Sequence, residues 1–157
     1  MTRERLYRAY IEELKFFNPI LRTQTNKDIL ANYKEVSSFE DLFWFDIYDG
    51  PEVVGFLLVA NGTHCTKDAD YMIMELYVHP NHREKGLAKR AVLNLFHQNP
   101  GTCGLFVLNL NIDAQKFWNR LKGTKELDIK ELETNKQYDN EWTRYHLWSV
   151  KENDVKS

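Results

Sequence analysis

YMIMELYVHPNHREKGLAKRAVLNLF, residues 71 to 96, is the stretch from which the fold of this chain is read. From Tyr71 to His79 the even positions Met72, Met74, Leu76 and Val78 are all apolar. The odd positions Tyr71, Ile73, Glu75, Tyr77 and His79 set a carboxylate and an imidazole among aromatic and aliphatic side chains. A period of two is the side-chain period of a strand, so the expectation is one core face and one chemically mixed face. Pro80 has no N–H to give to a ladder and should end the strand. Beyond Gly86 the apolar residues Leu87, Ala88, Ala91, Val92, Leu95 and Phe96 recur at helical spacing. The order is strand, glycine turn, amphipathic helix.

Working outward toward the C-terminus, Asn99-Pro100-Gly101 breaks the helix, and the apolar run Leu105 to Leu110 predicts a strand buried on both faces. Strand, helix, strand in this order fits a right-handed crossover, which makes the two strands parallel neighbours. Asn111 or Asp113 then caps a helix with Ala114, Phe117, Trp118 and Leu121 on one stripe, ended by Gly123. Trp142 to Val150 reads as a final strand, and Glu126 to Glu133 is a further candidate. Toward the N-terminus, Leu42 to Tyr48 and Val53 to Ala60 flank Asp49-Gly50-Pro51-Glu52, the pattern of a hairpin. Three consecutive strands should therefore meander antiparallel. Helices are expected over residues 3 to 17, with Leu6, Tyr10, Leu14 and Phe17 as the buried stripe, and over Lys27 to Lys34, with Asn26 as N-cap and Ile29, Leu30 and Tyr33 inward. The predicted fold class is α/β (α+β): a mixed, mostly antiparallel sheet with one central parallel strand pair and helices on both faces.

The totals narrow the function. At 157 residues a single domain is expected, and 43% apolar with 28% charged residues is ordinary for a soluble globular protein. A net charge of −2 argues against a general nucleic-acid binder, which needs an excess of Lys and Arg on one face. No apolar run reaches the ~20 residues of a membrane span, and MTRERLYRAY lacks a signal-peptide core. Two cysteines, Cys65 and Cys103, without such a signal suit a reducing compartment, so a cytoplasmic location is expected. His79 and His82 lie three apart with no third ligand nearby, and His64, Cys65, Asp68 and Asp70 lack metal-ligand spacing, so no metal is expected. The rings of Trp142, Tyr145 and Trp148 are better explained by strand packing than by base stacking.

The turn carries the chemistry. Where a strand runs through a glycine turn into a helix, several N–H groups converge without intrahelical partners, and the helix dipole adds partial positive charge. Arg83, Lys85, Lys89 and Arg90 surround that turn. Neither the dinucleotide fingerprint nor the P-loop pattern is present. A basic surface helix after a tight turn would look the same.

Arg83-Glu84-Lys85-Gly86-Leu87-Ala88 resembles the R/Q-x-x-G-x-G/A signature of the GNAT family of acyl-CoA N-acyltransferases, and Leu76 to Pro80 resembles the approach to it. Asn111, Ala114, Phe117 and Trp118 resemble the family's N-x-x-A-x-x-F-Y/W helix. The likeness is clear over about residues 42 to 122, the cofactor-binding core, and loose over the helical residues 1 to 40 and the C-terminal strands 126 to 150. It implies acetyl-CoA as co-substrate, with its pyrophosphate on the backbone of Arg83, Glu84, Lys85, Gly86, Leu87 and Ala88. It further implies that the pantetheine arm pairs with Leu76, Tyr77 and Val78, and that Asn111 bonds the arm, although Asn111 reads equally as a plain N-cap. The implied activity is transfer of an acetyl group to a primary amine by direct attack on the thioester. Glu75 is the candidate general base, acting through a water; it could instead pair with an arginine or cap a neighbouring backbone group. The family's usual acid is a tyrosine where this chain has Trp118, whose indole does not titrate in the useful range. Tyr77, Tyr138 and Tyr145 are the substitutes, none selected by the sequence.

The residues admit two other classes: a GNAT-fold module that holds acyl-CoA without turning it over, and a nucleic-acid-binding α/β domain. Expected partners are a small-molecule or peptide amine, with no membrane and no nucleic acid; a homodimer is admitted without being derivable.

Overall fold

The computed structural model describes residues 1–125, 127–131 and 142–149. The chain runs α1 (Arg3–Leu14), α2 (Asn26–Ser38), β1 (Leu42–Asp49), β2 (Glu52–Ala60), β3 (Tyr71–Val78), α3 (Leu87–Gln98), β4 (Thr102–Leu108), α4 (Ile112–Arg120), β5 (Leu127–Glu131) and β6 (Trp142–Ser149). Among the described residues six strands form one sheet in the order β1-β2-β3-β4-β6-β5. Every neighbouring pair is antiparallel except β3 and β4, which are parallel. The predicted meander and its central parallel pair are both present.

The helices divide between the faces. Leu6, Tyr7 and Ile11 of α1 and Ile29 of α2 pack with Phe56 of β2 and Tyr77 of β3. On the other face Leu87, Val92, Leu95 and Phe96 of α3 and Trp118 of α4 join Cys103, Leu105 and Val107 of β4 and Tyr145 and Leu147 of β6. Burial of these apolar groups supplies the main favourable term of folding.

Several local expectations are corrected. α1 stops at Leu14, before the proline, and Asn18 caps a short 3₁₀ turn, Pro19–Thr23. α2 begins one residue earlier than expected and runs to Ser38; its N-cap is Thr25, not Asn26. The Thr25 hydroxyl accepts from the Asp28 N–H at 3.2 Å while the Asp28 carboxylate accepts from the Thr25 N–H at 2.8 Å, a reciprocal box that outcompetes a lone Asn. Leu30 points outward from α2 instead of inward. β4 is fully buried along Cys103, Leu105 and Val107, but on its other face Phe106 is 39% exposed, and Leu110 lies beyond the strand in solvent.

The largest correction concerns β3. Leu58 of β2 pairs with Glu75, but the next residue, Val59, pairs with Ile73, leaving Met74 bulged out of the ladder and 40% exposed. An extra residue flips the side-chain parity. Tyr71 and Ile73 before the bulge, and Val78 with the half-buried Leu76 after it, all join the α3/α4 core. Tyr77 turns instead toward α1, and Glu75, two residues before it, shares its face. The strict alternation expected from the sequence exists only in pieces.

Candidate active site

β3 and β4 are registered at Tyr71 with Cys103 and Met72 with Gly104, and no further. Beyond those pairs the strands part, β3 continuing to Val78 and β4 to Leu108. The His79 N–H donates to the Val54 carbonyl at 2.8 Å, so alternation turns the polar backbone of Val78 and Leu76 away from β2 and into the gap. The Val78 carbonyl is met there by the Arg83 Nε–H at 2.7 Å. On the β2 side the fit is close: a Cβ at Gly55 would stand 2.2 Å from the Tyr77 carbonyl oxygen, so only glycine fits.

The loop from Arg83 to Ala88 closes one end of the gap. Glu84 and Gly86 both take the left-handed conformation, φ 65° and 75°, and fold the chain tightly before α3. Gly86 is the N-cap of α3 and offers no side-chain acceptor. The first helical bond is Arg90 N–H to the Gly86 carbonyl at 3.0 Å, which leaves the N–H groups of Leu87, Ala88 and Lys89 without a helical acceptor. A Cβ at Gly86 would meet nothing within 4 Å, so the space over this helix start is open. Of the four cations, Arg83 binds the Glu13 carboxylate at 2.8 Å and Lys85 binds Asp49 at 2.7 Å. Asp49 also accepts from His82 Nδ1 at 2.9 Å; these hydrogen bonds, led by the one from Lys85, hold its carboxyl below the usual carboxylate range. Lys89 and Arg90 stand exposed on the first turn of α3. Donors, dipole and charge fit an anion at this point.

Asn111 follows the end of β4, on the same edge of the sheet as the loop after β3. Its Oδ1 accepts from the Ala114 N–H at 3.3 Å, so between the two candidate caps of α4 the structure selects Asn111.

Glu75 sits half-buried on the α1 face. Burial pushes its carboxyl up to about 7, opposed by a hydrogen bond from the Tyr10 hydroxyl to Oε2. Tyr10 belongs to α1, and its ring packs edge-on against Phe56 at 5.7 Å and tilted against Tyr77 at 5.5 Å. The α1 stripe named Tyr10 as a core residue; nothing in the sequence linked it to a carboxylate 65 positions away. Neither alternative for Glu75 is realised: among the described residues it forms no ion pair, and its bonded oxygen accepts from a side chain.

The substitutes for the absent tyrosine are separated by the fold. Tyr77 lies buried beneath Arg83, whose guanidinium stands 5.5 Å from the ring centre. Tyr145 faces the opposite core, where its hydroxyl donates to Gln115 Oε1 at 2.5 Å. Tyr138 lies outside the described residues. Trp118 is core, 4% exposed and edge-on to Phe117 at 4.8 Å.

With this geometry in place, the model of the acetyltransferase (GNAT) family matches residues 4–123. The chain belongs to the GNAT family. Its structure is similar to that of an acetyltransferase from Thermus thermophilus, with TM-score 0.66 at 16% identity over 94% of this chain and 88% of that one. An N-acetyltransferase from Staphylococcus aureus aligns with TM-score 0.62 at 14% identity, covering 94% and 92%. The PaiA N-acetyltransferase from Thermoplasma acidophilum, solved in complex with coenzyme A, aligns with TM-score 0.52 at 14% identity, covering 90% and 79%. No curated protein matches the sequence at a significant level. Among the described residues of this GNAT chain, no helix is long and apolar enough to cross a membrane.

Proposed function

We propose that the protein transfers the acetyl group of acetyl-CoA to a primary amine by direct attack of the neutral amine on the thioester. The observation that carries this reading is a half-buried carboxylate, Glu75, pushed up to about 7, on the strand that borders the gap between β3 and β4. A carboxylate poised near neutral pH is matched to accepting a proton from an ammonium or from a bridging water. The α3 start and the Arg83 to Ala88 loop would hold the pyrophosphate, and the edge of Leu76 to Val78 would pair with the pantetheine arm as an added strand. The Leu76 or Val78 N–H would face the oxyanion that develops as the amine attacks. Proton removal at the amine and hydrogen bonding at the oxyanion are the two tasks this chain's own groups perform; collapse of the adduct expels the thiolate, which takes its proton from water.

A second reading, a module that binds acyl-CoA without turnover, is favoured by one observation. Trp118 is buried in the core where the family resemblance calls for a tyrosine acid. Thiol release from acetyl-CoA across a panel of small amines and peptide N-termini separates the two. Turnover that falls on Glu75→Gln supports the enzyme; binding of acetyl-CoA with no turnover on any amine supports the module.

A further inference from the structure

We propose that Tyr10 is the positioning residue of the Glu75 carboxylate, fixing which oxygen faces the acceptor and holding the group in its ionised form. This rests on the role given to Glu75 above and goes beyond it.

The Tyr10 hydroxyl donates to Oε2, leaving Oε1 as the oxygen for an amine or its bridging water. The donor is held by its ring and by its helix. Its ring is wedged between Phe56 and Tyr77, and α1 is tied down at both ends, by Arg3 to Asp46 of β1 at 2.7 Å and by Glu13 to Arg83 at 2.8 Å. Tyr10 and Glu13 lie three apart and so share a helix face. The turn that presents the hydroxyl is therefore bolted to the loop assigned to the cofactor's phosphates.

The surroundings of Glu75 give the hydroxyl its importance. Tyr7 and Tyr10 of α1 lie within electrostatic reach of Glu75, while Glu13 and Arg83 act on its neighbours, Glu13 on Tyr10 and both on Tyr77 of β3. On the same sheet face farther along stand Arg144 and His146 of β6, engaged with Asp68. Tyr7 is neutral at working pH, pushed up to about 12 by burial, and its oxygen already accepts from Asn32 at 2.8 Å. Among the described residues no Lys, Arg or His forms an ion pair with Glu75. A carboxylate drawn out of water without a counter-charge depends on hydrogen bonds for its ionised form, and the bond from Tyr10 favours that form.

The pH profile of kcat tests this with wild type, Tyr10→Phe, Glu75→Gln and the double variant. The wild-type acid limb is expected near pH 7. In Tyr10→Phe, which keeps the ring contacts, the limb should move up by roughly one pH unit, with thermal stabilisation by CoA unchanged. Glu75→Gln should abolish the limb, and adding Tyr10→Phe to it should change kcat by less than about twofold. Fluorotyrosine at position 10, a stronger donor, should move the limb the other way. A limb that stays at its wild-type pH in both position-10 variants overturns the Tyr10 assignment, even if the rate falls. A limb that survives Glu75→Gln overturns the base assignment itself. Should Tyr10→Phe fail to fold, the fluorotyrosine shift alone decides.

Discussion

Met72 pairs with Gly104 in the parallel ladder, and that is the last rung between β3 and β4. Six further residues of β3 and four of β4 then run on without pairing to each other, as the bounds of the strands show. A sheet that opens this way presents strand edges to a ligand instead of to a neighbour. CoA and acetyl-CoA should therefore stabilise the protein. At about 100 times Kd the gain is about 2.7 kcal/mol, a rise in Tm of roughly 5–10 °C. Differential scanning fluorimetry checks this, with a single-stranded oligonucleotide as control; equal or greater stabilisation by the oligonucleotide would defeat the cofactor assignment.

Gly86 separates backbone conformation from packing. Its φ of 75° disfavours any L side chain, while a Cβ there touches no protein atom. Gly86→Val should cost about 1–2 kcal/mol of stability and place a branched side chain over the helix start proposed to receive the phosphates. The KM for acetyl-CoA is expected to rise at least about tenfold while kcat at saturation stays within a few-fold. A variant with unchanged KM would show that the phosphates lie elsewhere.

Legibility tracked how local each cause is. The strand, turn and helix from Tyr71 to Phe96 were readable because periodicity, Pro80 and Gly86 act on their own neighbours. The bulge was not, because Met74 is expelled by the register that Leu58 and Val59 impose from another strand, and a Met carries no bulge signal. Nor was the partial exposure of β4, since the apolar run around Phe106 reads as core on both sides while Phe106 itself is left 39% exposed. Glu75 could be picked out as a carboxylate in an aromatic strand. Its partner could not, because Tyr10 reaches it by the docking of α1 on β2 and β3, which no short-range pattern encodes.

Trp118 offers a direct test of the absent tyrosine. Its side chain is packed in the α3/α4 core, so Trp118→Ala should lose about 3–5 kcal/mol and fold poorly. Trp118→Tyr should fold with a smaller loss and gain nothing in catalysis, kcat remaining within about threefold of wild type at saturating acetyl-CoA. An increase of tenfold or more would show that this position does reach the thiolate and that the core placement is not the active arrangement.

Glu75 also links the site to stability. Its carboxyl is pushed up to about 7 in the folded chain from an ordinary value of 4.5, so between those values the folded state binds more protons than the unfolded one. Stability then falls as pH rises: the contribution of the protonated acid is whole below about pH 4.5 and lost as pH passes 7. Glutamine is neutral throughout and escapes this loss. At pH 8.5 Glu75→Gln should unfold on the order of 2 kcal/mol less readily than wild type, about 5 °C higher in Tm, while at pH 5 the gap should shrink to about 1 °C. The same variant should lose about 100-fold in kcat, the usual contribution of a general base. Thermal melts at the two pH values check the first claim independently of any substrate. A gap equal at both pH values would return Glu75 to an ordinary carboxylate and leave the gap between β3 and β4 without its base.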